Sequence, residues 1–374
     1  MILERRFALM ALAALPGLGP VNIRRLDNAL GGKVEHLLEM TEAERSVLCA
    51  RNVVDQLGEW QKYFHPERVG NELKRLKADF ITSEESDYPR RLGPYSDRPI
   101  GLYRCREGRT FGERCVAIVG TRQPSAYGRK VAREFAVELS CAGFTVVSGM
   151  AEGIDTEAHR AALESGGRTA AVLGGGLNRC YPSSNRELME EIVQSAGVWS
   201  EFPLWRSADR RSFPQRNRIV SGVSEAVLVV ESGLKGGSLI TARMASEQGK
   251  PVYIIPGRID APESAGCHSL IRDGAQLVTS VEEILEDLSY LPEGLKNPGW
   301  GQIPELQGRK PKPEPQLSGL EASVWKVLGD KSHAHADSLA NELGVSVSEI
   351  SRTVTEMEIA GHLARRLDGC YERN

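Results

Sequence analysis

Residues 115–128 read Cys115-Val-Ala-Ile-Val-Gly-Thr-Arg-Gln-Pro-Ser-Ala-Tyr-Gly128, and they lead into an amphipathic segment, Tyr127–Cys141. A short unbroken apolar run with β-branched residues, stopped by glycine, reads as a strand buried on both faces. The same pattern returns along the chain. Phe144–Val147, Thr169–Leu173, Val198–Glu201, Ala226–Val230 and Val252–Ile255 are further strand candidates, with helices near Thr156–Glu164, Arg186–Ser195 and Leu239–Gln248. Strands without polar alternation, each followed by a helix, predict a parallel sheet covered on both faces. The fold class is therefore α/β, a Rossmann-like doubly wound and mostly parallel sheet over residues 114–290.

Outward from that core the patterning changes. Residues 1–75 carry apolar positions at helical spacing through Phe7–Leu15, Val21–Leu30 and Val47–Leu57, which predicts a helical domain of the helix-hairpin-helix or SAM-like kind. Pro16-Gly-Leu-Gly-Pro20 separates the first two helices. Such a Gly-x-Gly turn either points backbone N–H groups at a phosphate or serves packing alone, and Arg24 and Arg25 lean towards DNA. Residues 76–113 read as a connecting segment and 291–316 as a proline-rich linker. The tail, 317–374, shows helices at Leu320–Leu328, Ala336–Leu343 and Ser348–Gly361, then a hairpin turning at Asp368-Gly369. Three helices and a hairpin describe a winged-helix-like domain. Its recognition helix would be Ser348–Gly361, where Glu349, Glu356 and Glu358 face a single Arg352, a composition better suited to a protein partner than to phosphate.

Composition narrows the class. The 374 residues are 41% hydrophobic and 26% charged, with a net charge of −3, so nucleic-acid binding would need a local patch. Seven scattered cysteines without a C-x-x-C pair suit free thiols in a reducing compartment, and Cys267 beside His268 is poor spacing for a metal, so no metal site is expected. No apolar stretch is long enough to span a membrane. Arg5, Arg6 and the apolar run that follows look superficially like a leader, but Glu4 and the amphipathic continuation read as a helix of the mature protein, and a cytoplasmic location is expected.

In open parallel sheets ligands bind beyond the carboxyl ends of the strands. There the sequence places Gly120-Thr121-Arg122, Ser148-Gly149, Gly174-Gly-Gly176 and Ser232-Gly-Leu-Lys235-Gly-Gly237-Ser238, with Thr241 opening a helix. Glycine-flanked N–H groups, hydroxyls and an arginine fork form an anion site. A basic run, Arg206, Arg210, Arg211, Arg216 and Arg218, interleaved with Trp205 and Phe213, offers phosphate partners and stacking platforms for a single strand. No Walker P-loop, no G-x-G-x-x-G and no nucleophile elbow is present, and no cofactor is expected. Glu152, Asp155, Glu157, Glu201, Glu231 and His159 offer acid–base partners in principle, with Asp155 and His159 one helical turn apart, but bracing is the simpler role.

Val119-Gly-Thr-Arg122, Ser148-Gly-x-Ala-x-Gly-Ile-Asp155, Leu173-Gly-x-Gly176 with Tyr181-Pro-x-x-Asn185, Ser200-Glu-Phe-Pro203, Phe213-Pro-x-Arg-Asn-Arg218-Ile-Val-Ser-Gly222 and Gly237-Ser-Leu-Ile-Thr-Ala242 together resemble the successive signatures of the DprA/Smf family. The resemblance implies a homodimeric protein that binds single-stranded DNA without catalysis, protects it during natural transformation and loads RecA, with other competence proteins as partners for the tail. It implies DNA contacts at Gly120, Thr121, Arg122, Ser148, Gly149, Arg216, Asn217, Arg218, Lys235, Gly237, Ser238 and Thr241. Where many members carry a lysine, this chain has Ser183 and Ser184, with Arg186 the nearest substitute, and His268 replaces a usual asparagine. The alternative is a nucleotide-processing hydrolase of the lysine-decarboxylase-like, phosphoribohydrolase type, suggested by Gly236-Gly-Ser-Leu-Ile-Thr241; it needs a glutamate soon after that loop, and Glu247 lies far along the helix.

Overall fold

The computed structural model describes residues 3–105, 111–289, 317–331, 333–365 and 369–373. They fall into two compact units, residues 1–306 and 307–374.

The chain begins with five helices, α1 (Arg5–Ala14), α2 (Pro20–Ala29), α3 (Glu42–Leu48), α4 (Arg51–Gly58) and α5 (Pro66–Arg75). Proline at the first position starts α2 and α5, where its missing N–H costs nothing. A capping box starts α3, with the Thr41 N–H donating to Glu44 Oε2 at 2.7 Å. The single helix expected over Val47–Leu57 is two, because Cys49 and Ala50 are extended. Val47 is 85% exposed, so it does not belong to the apolar stripe that joined them on paper.

Residues 76–113, read as a connection, contain two strands, β1 (Ala78–Thr82) and β2 (Gly101–Cys105). The alternating part follows as β3 (Cys115–Val119), α6 (Ala126–Cys141), β4 (Thr145–Ser148), α7 (Ile154–Glu164), β5 (Arg168–Val172), α8 (Arg186–Gln194), β6 (Val198–Ser200), α9 (Ser212–Val223), β7 (Ala226–Val229), α10 (Gly237–Glu247), β8 (Val252–Ile254), α11 (Ala265–Arg272), β9 (Gln276–Leu277) and α12 (Val281–Ser289). All nine strands form one sheet in the order β1-β2-β6-β5-β4-β3-β7-β8-β9. β6 through β9 run parallel, while β2 is antiparallel to both β1 and β6. The mostly parallel, doubly wound sheet expected from the sequence is the one observed.

The pleat explains why these strands lack polar alternation. Val116 and Ile118 of β3 pack under α6, α7 and α12, while Ala117 and Val119 pack under α9 and α10 on the other face. The helical head shares a core with the β1–β6 end of the sheet, where Met10, Leu12 and Leu37 meet Phe80, Tyr103, Leu173 and Leu188. Arg24, read as a DNA candidate, is used there: it donates to the carbonyls of Ser96, Arg98 and Pro99. Arg25 is exposed.

The second unit comprises α13 (Gly319–Lys331), β10 (His333–Ala334), α14 (Ala336–Leu343), α15 (Val347–Ile359), β11 (Leu363–Arg365) and β12 (Tyr371–Arg373). The strands pair antiparallel in the order β10-β12-β11 around a core that includes Val324, Leu339, Ile350, Met357 and Leu363. This is the three-helix, winged arrangement expected, with β10 added to the hairpin. The proline-rich linker and Asp368 lie outside the described residues. Among the described residues no helix is long and apolar enough to cross a membrane.

Candidate nucleic-acid interface

The strand order reverses between β3 and β7. From β3 the chain steps through β4, β5 and β6, then returns to place β7 on the other side of β3. Loops beyond the carboxyl ends of strands on either side of such a switch point open a crevice. One residue ties the two sides together here. Glu231, just past β7, is 3% exposed, and its carboxylate accepts from the Ser125 N–H at 2.9 Å and the Ser125 hydroxyl at 2.5 Å. Its carbonyl accepts from the Thr121 N–H at 2.7 Å. Ser125 in turn caps α6 by accepting from the Gly128 N–H. Glu231 therefore holds the Gly120–Ser125 loop in place.

The loop after β4 is braced from beneath. Asp155 Oδ2 accepts from the Gly149 N–H at 3.0 Å and the Ala151 N–H at 3.2 Å. Burial raises its carboxyl pKa, and Arg216 opposes the shift. His159, one turn on, is fully buried and bonds Thr169 Oγ1 through Nδ1 at 2.6 Å. That hydroxyl already donates to the Val146 carbonyl, so Nδ1 carries the proton and donates. Desolvation, helped by Arg216, pushes the His159 pKa down to about 3, so the ring is neutral. The two groups serve separate partners, which is the bracing expected of them. Gly153 joins the loops at φ +81, where a Cβ would lie 2.4 Å from the Thr121 carbonyl oxygen. Only glycine fits there.

Above these braces lies a shallow pocket of about 330 Å³, including its open mouth, lined by Arg122, Gly149, Glu152, Gly174, Tyr181, Phe213 and Arg216 among others. Its floor is bare backbone. A Cβ on Gly149 would fall 2.3 Å from the Arg216 guanidinium, and one on Gly174 would fall 2.8 Å from the Phe213 ring. Arg122, exposed, stands 5.3 Å over the Phe213 ring, and Tyr181 tilts against the same ring with centroids 5.8 Å apart. Arg216 is 5% exposed; it donates to the carbonyls of Gly149 and Val172 and from Nε to Asn217 Oδ1 at 3.0 Å. Burial pushes its pKa down to about 10, still charged at neutral pH. A buried cation beneath a glycine floor, beside rings and an exposed arginine, can take a phosphate and a base at once.

The structure sorts the expected contacts. Arg122, Gly149 and Arg216 meet in this pocket. Gly120 and Thr121 form its bracing loop, and Arg186, Lys235 and Gly237 are exposed beyond the strand ends. Several hydroxyls point inward instead. Ser148 donates to the Ile118 carbonyl at 2.7 Å, Ser238 to Ser232 Oγ at 2.8 Å, and Thr241 is 2% exposed. Arg218 does not line the pocket. Two positions along α9 from Arg216, it is turned away, and its Nη2 donates to both carboxylate oxygens of Glu201 at 2.6 and 2.7 Å. The basic run thus divides: Arg206, Arg210 and Arg211 are exposed in the segment that leads into α9, while Arg216 and Arg218, on α9, are committed within the fold. Glu152, Gly174 and Tyr181 were not among the expected contacts. The glycine-rich and Tyr-Pro loops that carry the last two were visible, but their convergence was not. His268 Nε2 bonds the Gly257 carbonyl at 3.0 Å and so serves the loop after β8. Among the described residues no His, Cys, Asp or Glu cluster could hold a metal.

Fold and site together define a Rossmann-like protein with an arginine–aromatic cleft beside its switch point. The profile of DNA recombination-mediator protein A matches residues 79–289, and that of the DprA winged helix domain matches 308–369. The chain is 32% identical to the protein Smf of Synechocystis, covering 97% of this chain and 98% of that one. It is 40% identical to Smf of Escherichia coli over 80% of this chain and 79% of the relative. The X-ray structure of DNA processing protein A from Streptococcus pneumoniae superposes with a TM-score of 0.65 at 31% identity, covering 77% of this chain and 99% of that one. A DNA processing protein A from Helicobacter pylori, described for its single-stranded-DNA binding mode, gives 0.51 at 29% identity over 57% of this chain and 96% of that one. The chain belongs to the DprA/Smf family of DNA recombination-mediator proteins, and its second unit carries that family's winged helix domain.

Proposed function

We propose that the α/β unit binds single-stranded DNA along the carboxyl edge of its sheet, without catalysis, and delivers the strand to RecA as a homodimer in natural transformation. The observation that carries this reading is the pocket in which Arg122 stands over Phe213 beside Tyr181, above the buried cation of Arg216. Two ring faces and two guanidiniums within one depression suit a flexible strand whose bases are free to stack. The related H. pylori protein, by its description, binds single-stranded DNA. Arg206, Arg210, Arg211, Arg186 and Lys235, all exposed, would extend the cationic track on either side. Arg218 and Asn217 act beneath the pocket by holding α9 and Arg216. The absence of chemistry is proposed because the buried carboxylates Asp155 and Glu231 are spent on backbone and hydroxyl partners, and His159, fully buried and neutral, is held by Thr169.

The test is fluorescence anisotropy with a labelled oligonucleotide. Affinity should fall with salt at a log–log slope of about −0.7 per phosphate neutralised. Arg122→Ala should weaken binding about tenfold, the share of one desolvated charge-assisted contact and one cation–aromatic platform. Unchanged affinity in that variant would remove the pocket from the DNA path.

A further inference from the structure

The pocket brings opposite charges together. Two guanidiniums, those of Arg122 and Arg216, line it along with Glu152, the sole carboxylate among the described residues lining it. Glu152 is exposed, and among the described residues it makes no ion pair; its one hydrogen bond is a long contact from the Ser184 hydroxyl to Oε1 at 3.5 Å. Its neighbours fix where it stands. Ala151 is bonded by Asp155 and by the Thr156 hydroxyl, and Asn185 ties the Tyr181–Asn185 loop to the Met150 carbonyl at 3.1 Å. A free carboxylate on a rigid loop, lining the same pocket as two guanidiniums and the 53% exposed Tyr181, repels phosphate and offers only acceptors.

We infer that Glu152 makes this pocket selective for guanine on the unpaired strand. This rests on the reading of the pocket as a single-stranded-DNA site. A carboxylate presents two parallel acceptor oxygens, and guanine alone among the DNA bases presents two adjacent donors, N1–H and the 2-amino group, on its Watson–Crick edge. The adenine and cytosine amino groups each sit beside a ring-nitrogen lone pair, and thymine N3–H sits between two carbonyls, so each meets a carboxylate with one repulsive neighbour. Stacked on Tyr181 or Phe213, a guanine would turn that edge to Glu152 while its phosphate lies towards Arg122. The edge is occupied in duplex, so the same group discriminates against paired DNA.

The experiment uses the full chain and three 20-mers in lithium buffer, which suppresses quadruplexes: oligo-dT, oligo-dT with a guanine at every fifth position, and the same with inosine, which lacks the 2-amino group. The wild-type protein should prefer the guanine oligonucleotide over oligo-dT by about tenfold, within the range of one good bidentate contact, and inosine should lose most of that preference. Glu152→Gln should bring the guanine and dT affinities to within about twofold of each other, and Glu152→Lys should do the same while tightening binding to every strand. Equal wild-type binding to all three, or an undiminished preference in Glu152→Gln, overturns the role of Glu152 while leaving the DNA site standing. Failure of the wild-type protein to bind any of the three overturns both.

Discussion

Arg216 and Arg218 sit two positions apart on one helix and lead opposite lives. Arg216 stays charged under a glycine floor that any side chain would block, so its positive field reaches the pocket without an exposed fork. Arg218, 12% exposed, is locked to Glu201, whose carboxyl pKa is raised by burial and held down by that partner. Removing one member of such a pair strands the other. Arg218→Ala should therefore cost about 3 kcal/mol of stability, read by urea unfolding, and weaken oligonucleotide binding less than Arg122→Ala does. His159 makes a second residue-scale prediction. The unfolded ring protonates near 6.5 and the folded ring only near 3, so between these values the unfolded chain binds more protons. Its stabilising contribution is complete above pH 6.5 and is lost as pH falls towards 3. His159→Gln should flatten the fall of unfolding free energy with acid by up to about 1.4 kcal/mol per pH unit; parallel curves would refute the assignment. For Arg216 and Arg218 the sequence shows the charges but not the carbonyls and the carboxylate that engage them.

At the scale of the element, α9 is the part the sequence concealed. The six parallel strands from β3 to β8 were legible because each is a short apolar run buried on both faces. α9 carries Arg216 and Arg218 in its middle and buries Ser212, Arg216, Asn217, Ile219, Val220, Ser221, Gly222 and Val223, so no apolar stripe marks it as a helix. β1 and β2 were missed for a related reason: Asp79 and Arg104 interrupt their short apolar runs. Yet α9 delivers Phe213 and Arg216 to the pocket, and its other end is anchored too. Lys250 Nζ donates to the carbonyls of Ser221, Gly222 and Ser224 at the helix C-terminus, where the dipole favours a cation. Desolvation pushes the Lys250 pKa down to about 7. Lys250→Met should lose about 2–3 kcal/mol in thermal or urea unfolding while leaving oligonucleotide affinity within twofold at temperatures where the variant is folded. A variant as stable as wild type would mean the anchor is idle.

For the whole molecule the net charge of −3 matters as much as the pocket. A slightly acidic protein gains little from long-range attraction to any polyanion, so duplex, with its higher charge density and stacked bases, should gain less than a flexible strand from a local cleft of rings and guanidiniums. The α/β class and the winged helix were legible because both rest on burial patterns. The meeting of Arg122, Glu152, Tyr181 and Phe213 was not, because it depends on three loops and the first turn of α9, four separate stretches of chain. The measurement that bears most directly on this account is competition between a single-stranded oligonucleotide and the same sequence as duplex, run across a salt series on the full chain. The single strand should displace the duplex at every salt concentration, by at least about tenfold, with both affinities falling as salt rises. Equal competition, or duplex preferred at any salt, would contradict it.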